Sequence, residues 1–382
     1  MSITSTRYRL RIAMFACLLL PGLARAESLV EAVVVDEGFE QLDLASVLAV
    51  CPADVQDPQA EDARCRSGKP ESVRATQEMR LYRVPLWAFL RVTNASAKER
   101  VFVLEHHLAI TGIITLQDLS VGAAPVKSAG EAVSIRSRDY IAALPVFKIV
   151  LQPKETKLFR ISIASDIVTR PGFTLYSQDR FFIEQQRGNL VHAFYYGLML
   201  SMIFYNILLY LRLRSGMYLK YIFFILSLTV MYAGLYGHGY AFIWQDWTSW
   251  QKYSHSVAKF TAAIFGIGFF SAVLNVKTRM PRLYRMVKPA YALIAVAALA
   301  TPALSAQGVF LIATIVVAVA VIYSLALGIL SVIGKLPFSI YYAIAMTSML
   351  TGALINLLQT AAILPSNTFT IHAMQVGTAL ET

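Results

Sequence analysis

Hydrophobic positions follow two rules along this chain of 382 residues, and the rule changes near residue 186. Before it, short runs alternate between apolar and polar side chains. The run 157–164, KLFRISIA, puts Phe159, Ile161 and Ile163 on one face and Arg160 and Ser162 on the other, the period of a half-buried strand. Comparable runs lie at 85–93, 100–104, 110–116, 132–136 and 145–151, separated by turn chemistry at 94–96, 122–125, Gln152 with Pro153, and Pro171 with Gly172. Short strands at this spacing predict an antiparallel sandwich over residues 27–185. Residues 52–78 lack periodicity and read as a long loop.

After residue 186 the apolar runs lengthen enough to cross a hydrocarbon core of about 30 Å as helices. They fall at 191–211, 221–236, 257–276, 290–304, 309–330 and 340–358, and a seventh opens near Thr370. The seventh has only about a dozen residues before Thr382, fewer than the ~20 a span needs. It is therefore expected to be incomplete, in a fragment of a longer protein, with a product truncated inside its last helix as the alternative. Residues 237–256, with Trp244, Trp247 and Trp250, read as an outer loop at the lipid headgroups.

Charge sorts with these elements. Arg212, Arg214, Lys220, Lys277, Arg279, Arg282, Arg285, Lys288 and Lys335 fall on one set of connections, Lys252 on the other, and Lys259 just inside the third run. Basic connections stay in the cytoplasm, which puts the amino-terminal segment outside. The net charge of +11, with 57% hydrophobic residues, divides as +4 for residues 1–26, −2 for 27–189 and +9 for the rest, which removes a nucleic-acid reading.

The first 26 residues have the parts of a secretory signal: Arg7, Arg9 and Arg11, an apolar core, and a small-residue site ending at Ala26. An uncleaved anchor is the alternative. The chain is expected to be multi-pass in its membrane, with the sandwich outside the cytoplasm. Cleavage would remove Cys17 and leave Cys51 and Cys65 outside the cytoplasm, where a disulfide is the default and metal binding the alternative.

Candidate ligand-binding residues in the sandwich are Trp87, Arg136, Arg138 and Tyr140, with Asp139 beside them, types that bind sugars or small anions; core packing and a solvated charged face are the competing reading. His106 and His107 are neighbours on a strand and cannot chelate together. In the membrane, Glu381 is an ionisable group at depth and a candidate for helix coupling, with Asn206 and Asn356 as interhelical polar contacts. Gly197, Gly352 and Gly377 permit close helix approach. His192, His238, His255 and His372 lie near the outer ends of the spans; a metal site there is the alternative reading, and none is expected. A hydrolase nucleophile elbow is absent, and residues 370–382 hold no lysine for a retinal pigment. No cofactor and no catalytic residue is expected.

Tyr195, Tyr196 and Gly197 open the first span, Tyr205 and Asn206 lie within it, and Tyr218, Leu219 and Tyr221 open the second. Gly237, Gly239, Tyr240 and Trp244 follow, then Leu364, Pro365, Gln375, Gly377 and Glu381 near the end. In these residues the chain resembles the bacterial seven-transmembrane receptors with diverse intracellular signalling modules. The resemblance implies a jelly-roll-like periplasmic sandwich, similar to carbohydrate-binding domains, ahead of an all-α bundle of seven helices. It also implies a cytoplasmic output such as a histidine kinase or diguanylate cyclase, which is not within these residues. The expected partners are the bilayer, a small periplasmic ligand with carbohydrate among the candidates, and a cytoplasmic module; a homodimer is open. A transporter or channel with an accessory outer domain is the alternative, although no internal repeat or run of inward charges supports it. A partner-binding adaptor without a small ligand is a third reading.

Overall fold

The computed structural model describes residues 32–52, 71–72, 85–121, 125–166, 171–360, 363–364 and 368–381. The expected signal segment and Cys65 lie outside them, so the pairing of Cys51 with Cys65 is not among the contacts described.

Two sheets share one core. The first contains β1 (Ala32–Val35), β3 (Ala49–Pro52), β4 (Glu71–Ser72), β5 (Leu86–Asn94), β7 (Ile113–Asp118), β8 (Lys127–Ala129) and β10 (Thr156–Ala164), in the order β4-β3-β5-β10-β7-β8 with β1 parallel to β5. The second contains β2 (Gln41–Asp43), β6 (Arg100–His106), β9 (Val146–Leu151) and β11 (Phe173–Ser177), in the order β2-β11-β6-β9. Alternate residues of β5 (Leu86, Ala88, Leu90, Val92) and β10 (Phe159, Ile161, Ile163) meet Phe102, Leu104, Phe147, Ile149, Phe173 and Leu175 of the second sheet. The alternation of 157–164 therefore has the predicted sense.

Two expectations change here. The run 132–136 is a turn rather than a strand. Gly130 at φ +126° bends the chain out of β8, and Ser134 caps a 3-10 turn, Ile135–Ser137, by accepting from the Arg136 N–H. Within 52–78, Glu71 and Ser72 pair antiparallel with Val50 and Ala49.

The sheets lead into helices α1 (Gln178–Leu213), α2 (Gly216–Leu235), α3 (Thr248–Val273), α4 (Pro281–Ala300), α5 (Ala306–Ile333), α6 (Ser339–Thr360) and α7 (Thr368–Glu381), with a single helical turn at Val276–Arg279. Among the described residues, α1 to α5 are long and apolar enough to cross a membrane. Arg214, left-handed at φ 53°, ends α1, and Ser215 at once caps α2, which makes a tight hairpin. The expected Trp-rich loop is shorter than its composition suggests: a π-helical turn, Gly239–Ile243, ends at Trp244, and α3 begins at Thr248. α6 and α7 approach each other closely. A Cβ on Gly352 would stand 2.4 Å from the Ala373 carbonyl oxygen, so only glycine lets these backbones meet.

Candidate functional site: the junction of sandwich and helices

β11 runs into α1 without a linker. Ser177 is both the last residue of the strand and the cap of the helix, accepting from the Arg180 N–H. The first turn of α1 then lies on the outer face of the second sheet, where Phe181 packs with Val103, Ala142 and Val146 beneath Tyr140 and Tyr176. Arg180 pairs with Glu184 at 2.7 Å and donates from Nε to the Gln41 side chain at 3.2 Å. α1 is thus seated on the sandwich before it reaches the membrane. Its 36 residues span about 54 Å at ~1.5 Å each, well beyond a bilayer core.

A second seat forms between the turn after β8 and the connection from α2 to α3. The Tyr240 hydroxyl donates to the Val133 carbonyl at 2.8 Å, and the Arg138 guanidinium lies 5.3 Å from the Tyr240 ring centroid. Asp246 accepts from the Ser134 hydroxyl and from the Ile135 N–H at 3.1 Å, and its other oxygen meets Arg136 Nε at 3.0 Å. The Asp246 carboxylate therefore caps a turn that belongs to the sandwich. These bonds, the Ser134 hydroxyl first, hold its carboxyl below the usual range. Gly237, at φ +78°, brings the connection against the sandwich, where a Cβ would stand 2.1 Å from the Ala143 carbonyl oxygen. At the edge, Lys252 pairs with Asp166 at 2.6 Å.

The junction also holds ionisable groups away from water. Glu131 is 4% exposed, its N–H donates to the Thr111 carbonyl at 2.9 Å, and its Oε2 has no hydrogen-bond partner. Burial pushes its carboxyl up to about 7; Lys252 opposes the shift and Asp166 adds to it. Arg138 donates to the Gly130 carbonyl but leaves its Nε unpaired, and burial lowers it to about 10.

Of the four candidate ligand residues, the fold brings Arg136, Arg138 and Tyr140 together at this junction. Tyr140 lies against Phe181 and Phe182 at 5.8 and 5.7 Å. Trp87 stands elsewhere, on the outer face of β5, 7% exposed, with the Arg160 guanidinium 5.3 Å from its ring. In the bundle, Asn206 is buried and donates to the Met202 carbonyl of its own helix at 2.8 Å, Asn356 is half-buried on α6, and the Glu381 Oε2 is buried with no hydrogen-bond partner. Three of the four histidines expected near the outer ends of the spans meet: His192 lies 4.3 Å from His238 and 4.8 Å from His372 between ring centroids, while His255 sits apart against Phe310. Among the described residues, no group of three or more His, Cys, Asp or Glu side chains is arranged to hold a metal ion.

Sequence reasoning passed over Asp246 and Glu131. A signal for Asp246 was present, since it and Glu381 are the two acids after residue 189. An acid that stands nearly alone among the 11 basic residues after position 189 needs a partner, and Asp246 has three. Glu131 had no such signal, because acids are common before residue 189.

Compared with known families, residues 188–382 match the family described as 7TM diverse intracellular signalling. Neither a curated protein nor a solved structure matches the chain. The chain belongs to the 7TM diverse intracellular signalling family, whose membrane domain serves signalling.

Proposed function

We propose that this member of the family is a receptor of the bacterial inner membrane. Its jelly-roll-like sandwich stands in the periplasm, and its seven helices, with α6 and α7 completing the bundle, relay a ligand signal to a cytoplasmic output module. The observation that carries this reading is the double seat. Sandwich and bundle are joined through Ser177 without slack and again through Asp246, Tyr240 and Gly237, so a rearrangement of the sandwich has two routes into the helices. A ligand shifts such an equilibrium only by the difference in its affinity for the two arrangements.

In this reading a carbohydrate ring reaches Trp87 by displacing the Arg160 guanidinium that lies over the indole, and Arg136, Arg138 and Tyr140 register the bound state at the junction. A Cys51–Cys65 disulfide closes the loop after β3. Asn206, Asn356 and Glu381 couple the helices, Glu381 being a buried acid whose oxygen is unspent. The test is binding of an oligosaccharide and small-anion panel to the full chain in lipid nanodiscs, with hydrogen exchange followed at 130–146 and 237–246. A ligand that binds and changes exchange in both segments supports the relay. Absence of binding across the panel, or binding that leaves both segments unchanged, contradicts it.

A further inference from the structure

At the outer end of the bundle three imidazoles occupy one pocket of side chains: His192 from α1, His238 from the connection after α2, and His372 from α7. Around them stand Asn189, Tyr195 and Tyr196 of α1, Tyr232 and Tyr236 at the end of α2, Phe242 of the connection, and Gln375 of α7. The other imidazoles are the charges that act on His192 and His238 among the described residues; no carboxylate does. An imidazolium formed here has no counter-ion, and a second would repel the first at contact distance.

The Gln375 side chain counts the protons. Its amide donates to His192 Nδ1 at 3.1 Å, while its carbonyl oxygen meets His372 Nδ1 at 3.0 Å. One amide can serve one accepting and one donating imidazole nitrogen. When both Nδ1 atoms carry protons, one of the two bonds breaks, and the His192–Gln375 bond is a tie between α1 and α7. His238 Nδ1 is already buried without a partner, and burial, with His372 adding, holds its imidazole down to about 4.

We propose that His192, His238 and His372 form a proton-operated latch, which holds the outer end of α7 against α1 while the imidazoles are uncharged and releases it when the outer medium acidifies. His238 follows Gly237, the residue pressed on Ala143 of the sandwich, so the latch lies where the outer domain meets the helix that ends the bundle. It acts without a ligand on the sandwich and so goes beyond the receptor reading.

The test is a spin-label distance between positions 190 and 369 in the full chain in nanodiscs, from about pH 7.5 to about pH 5. Leu190 and Phe369 are 72% and 59% exposed, so labels there leave the cluster intact. An imidazole near about 4 in the closed latch and ~6.5 when solvated gives a roughly 30-fold rise in the open-to-closed ratio over that range. The acid-induced long-distance population is expected to vanish in His192→Gln/His238→Gln/His372→Gln and to shrink in His238→Asn alone, should the triple variant fail to fold. Gln375→Glu, which supplies the missing counter-ion, is expected to keep the latch shut in acid. A wild-type distance that ignores pH, or the same opening in the histidine variants, overturns the proposal. So does closure at pH 7.5 that depends on zinc and is lost to a chelator, which would make the cluster a metal site.

Discussion

Glu131 turns the junction into a thermodynamic quantity. Its folded carboxyl sits at about 7, against 4.5 when solvated. Below pH 4.5 the group is protonated whether the junction is closed or open, and it adds no pH dependence. Between 4.5 and 7 the open form ionises while the closed form stays neutral, so closing weakens by about 1.4 kcal/mol per pH unit. Above 7 the full penalty of about 3 kcal/mol remains, a roughly 300-fold change in the opening equilibrium. The assay is hydrogen exchange at the amides of Glu131 and Ala132, which donate to the Thr111 and Gly112 carbonyls, corrected for the intrinsic pH dependence of exchange. Protection is expected to fall between about pH 4.5 and about pH 8 in the wild type and to stay flat in Glu131→Gln, which is uncharged throughout. A flat wild-type profile, or an equal loss in the glutamine variant, would refute the assignment of the burial cost to this carboxyl.

Substitutions at two further positions probe the second seat. Gly237→Ala places a methyl group on the Ala143 carbonyl in a left-handed conformation that alone costs about 1–2 kcal/mol, so exchange at 237–246 should rise by at least tenfold while the sandwich strands keep their protection. Asp246→Asn removes the charge but keeps an acceptor, and Asp246→Ala removes both. Exchange at Ile135 should rise more in alanine than in asparagine, because the hydrogen bonds hold the seat and the Arg136 pair, with Arg136 77% exposed, adds little.

The parts of the fold legible in the sequence are those whose period is local. β10 announces itself by alternation, β5 and β9 by short apolar runs between turns, and the helices of the bundle by unbroken apolar length. The start of α1 does not, because Asp179, Arg180 and Glu184 belong to a helix that lies on a sheet rather than in lipid. The run 132–136 alternates like a strand, but Gly130 and the Ser134 cap bend it into a turn whose N–H is taken up by Asp246, 111 residues away. Arg136, Arg138 and Tyr140 were legible as residues with chemistry to do. That their partners are a helix connection and the first turn of α1 depends on long-range pairing that no local pattern encodes.

The account stands on the sandwich and the 237–252 connection sharing one side of the membrane and the basic connections taking the other. Native lysines test this most directly. Lys98 and Lys154 of the sandwich, and Lys277, Lys288 and Lys335 at or beside helix ends away from it, are all exposed to solvent. In sealed right-side-out vesicles treated with an impermeant amine reagent and mapped by peptide mass, Lys98 and Lys154 should be modified, and Lys277, Lys288 and Lys335 only after permeabilisation. Modification of Lys277 in the sealed vesicles would contradict the account.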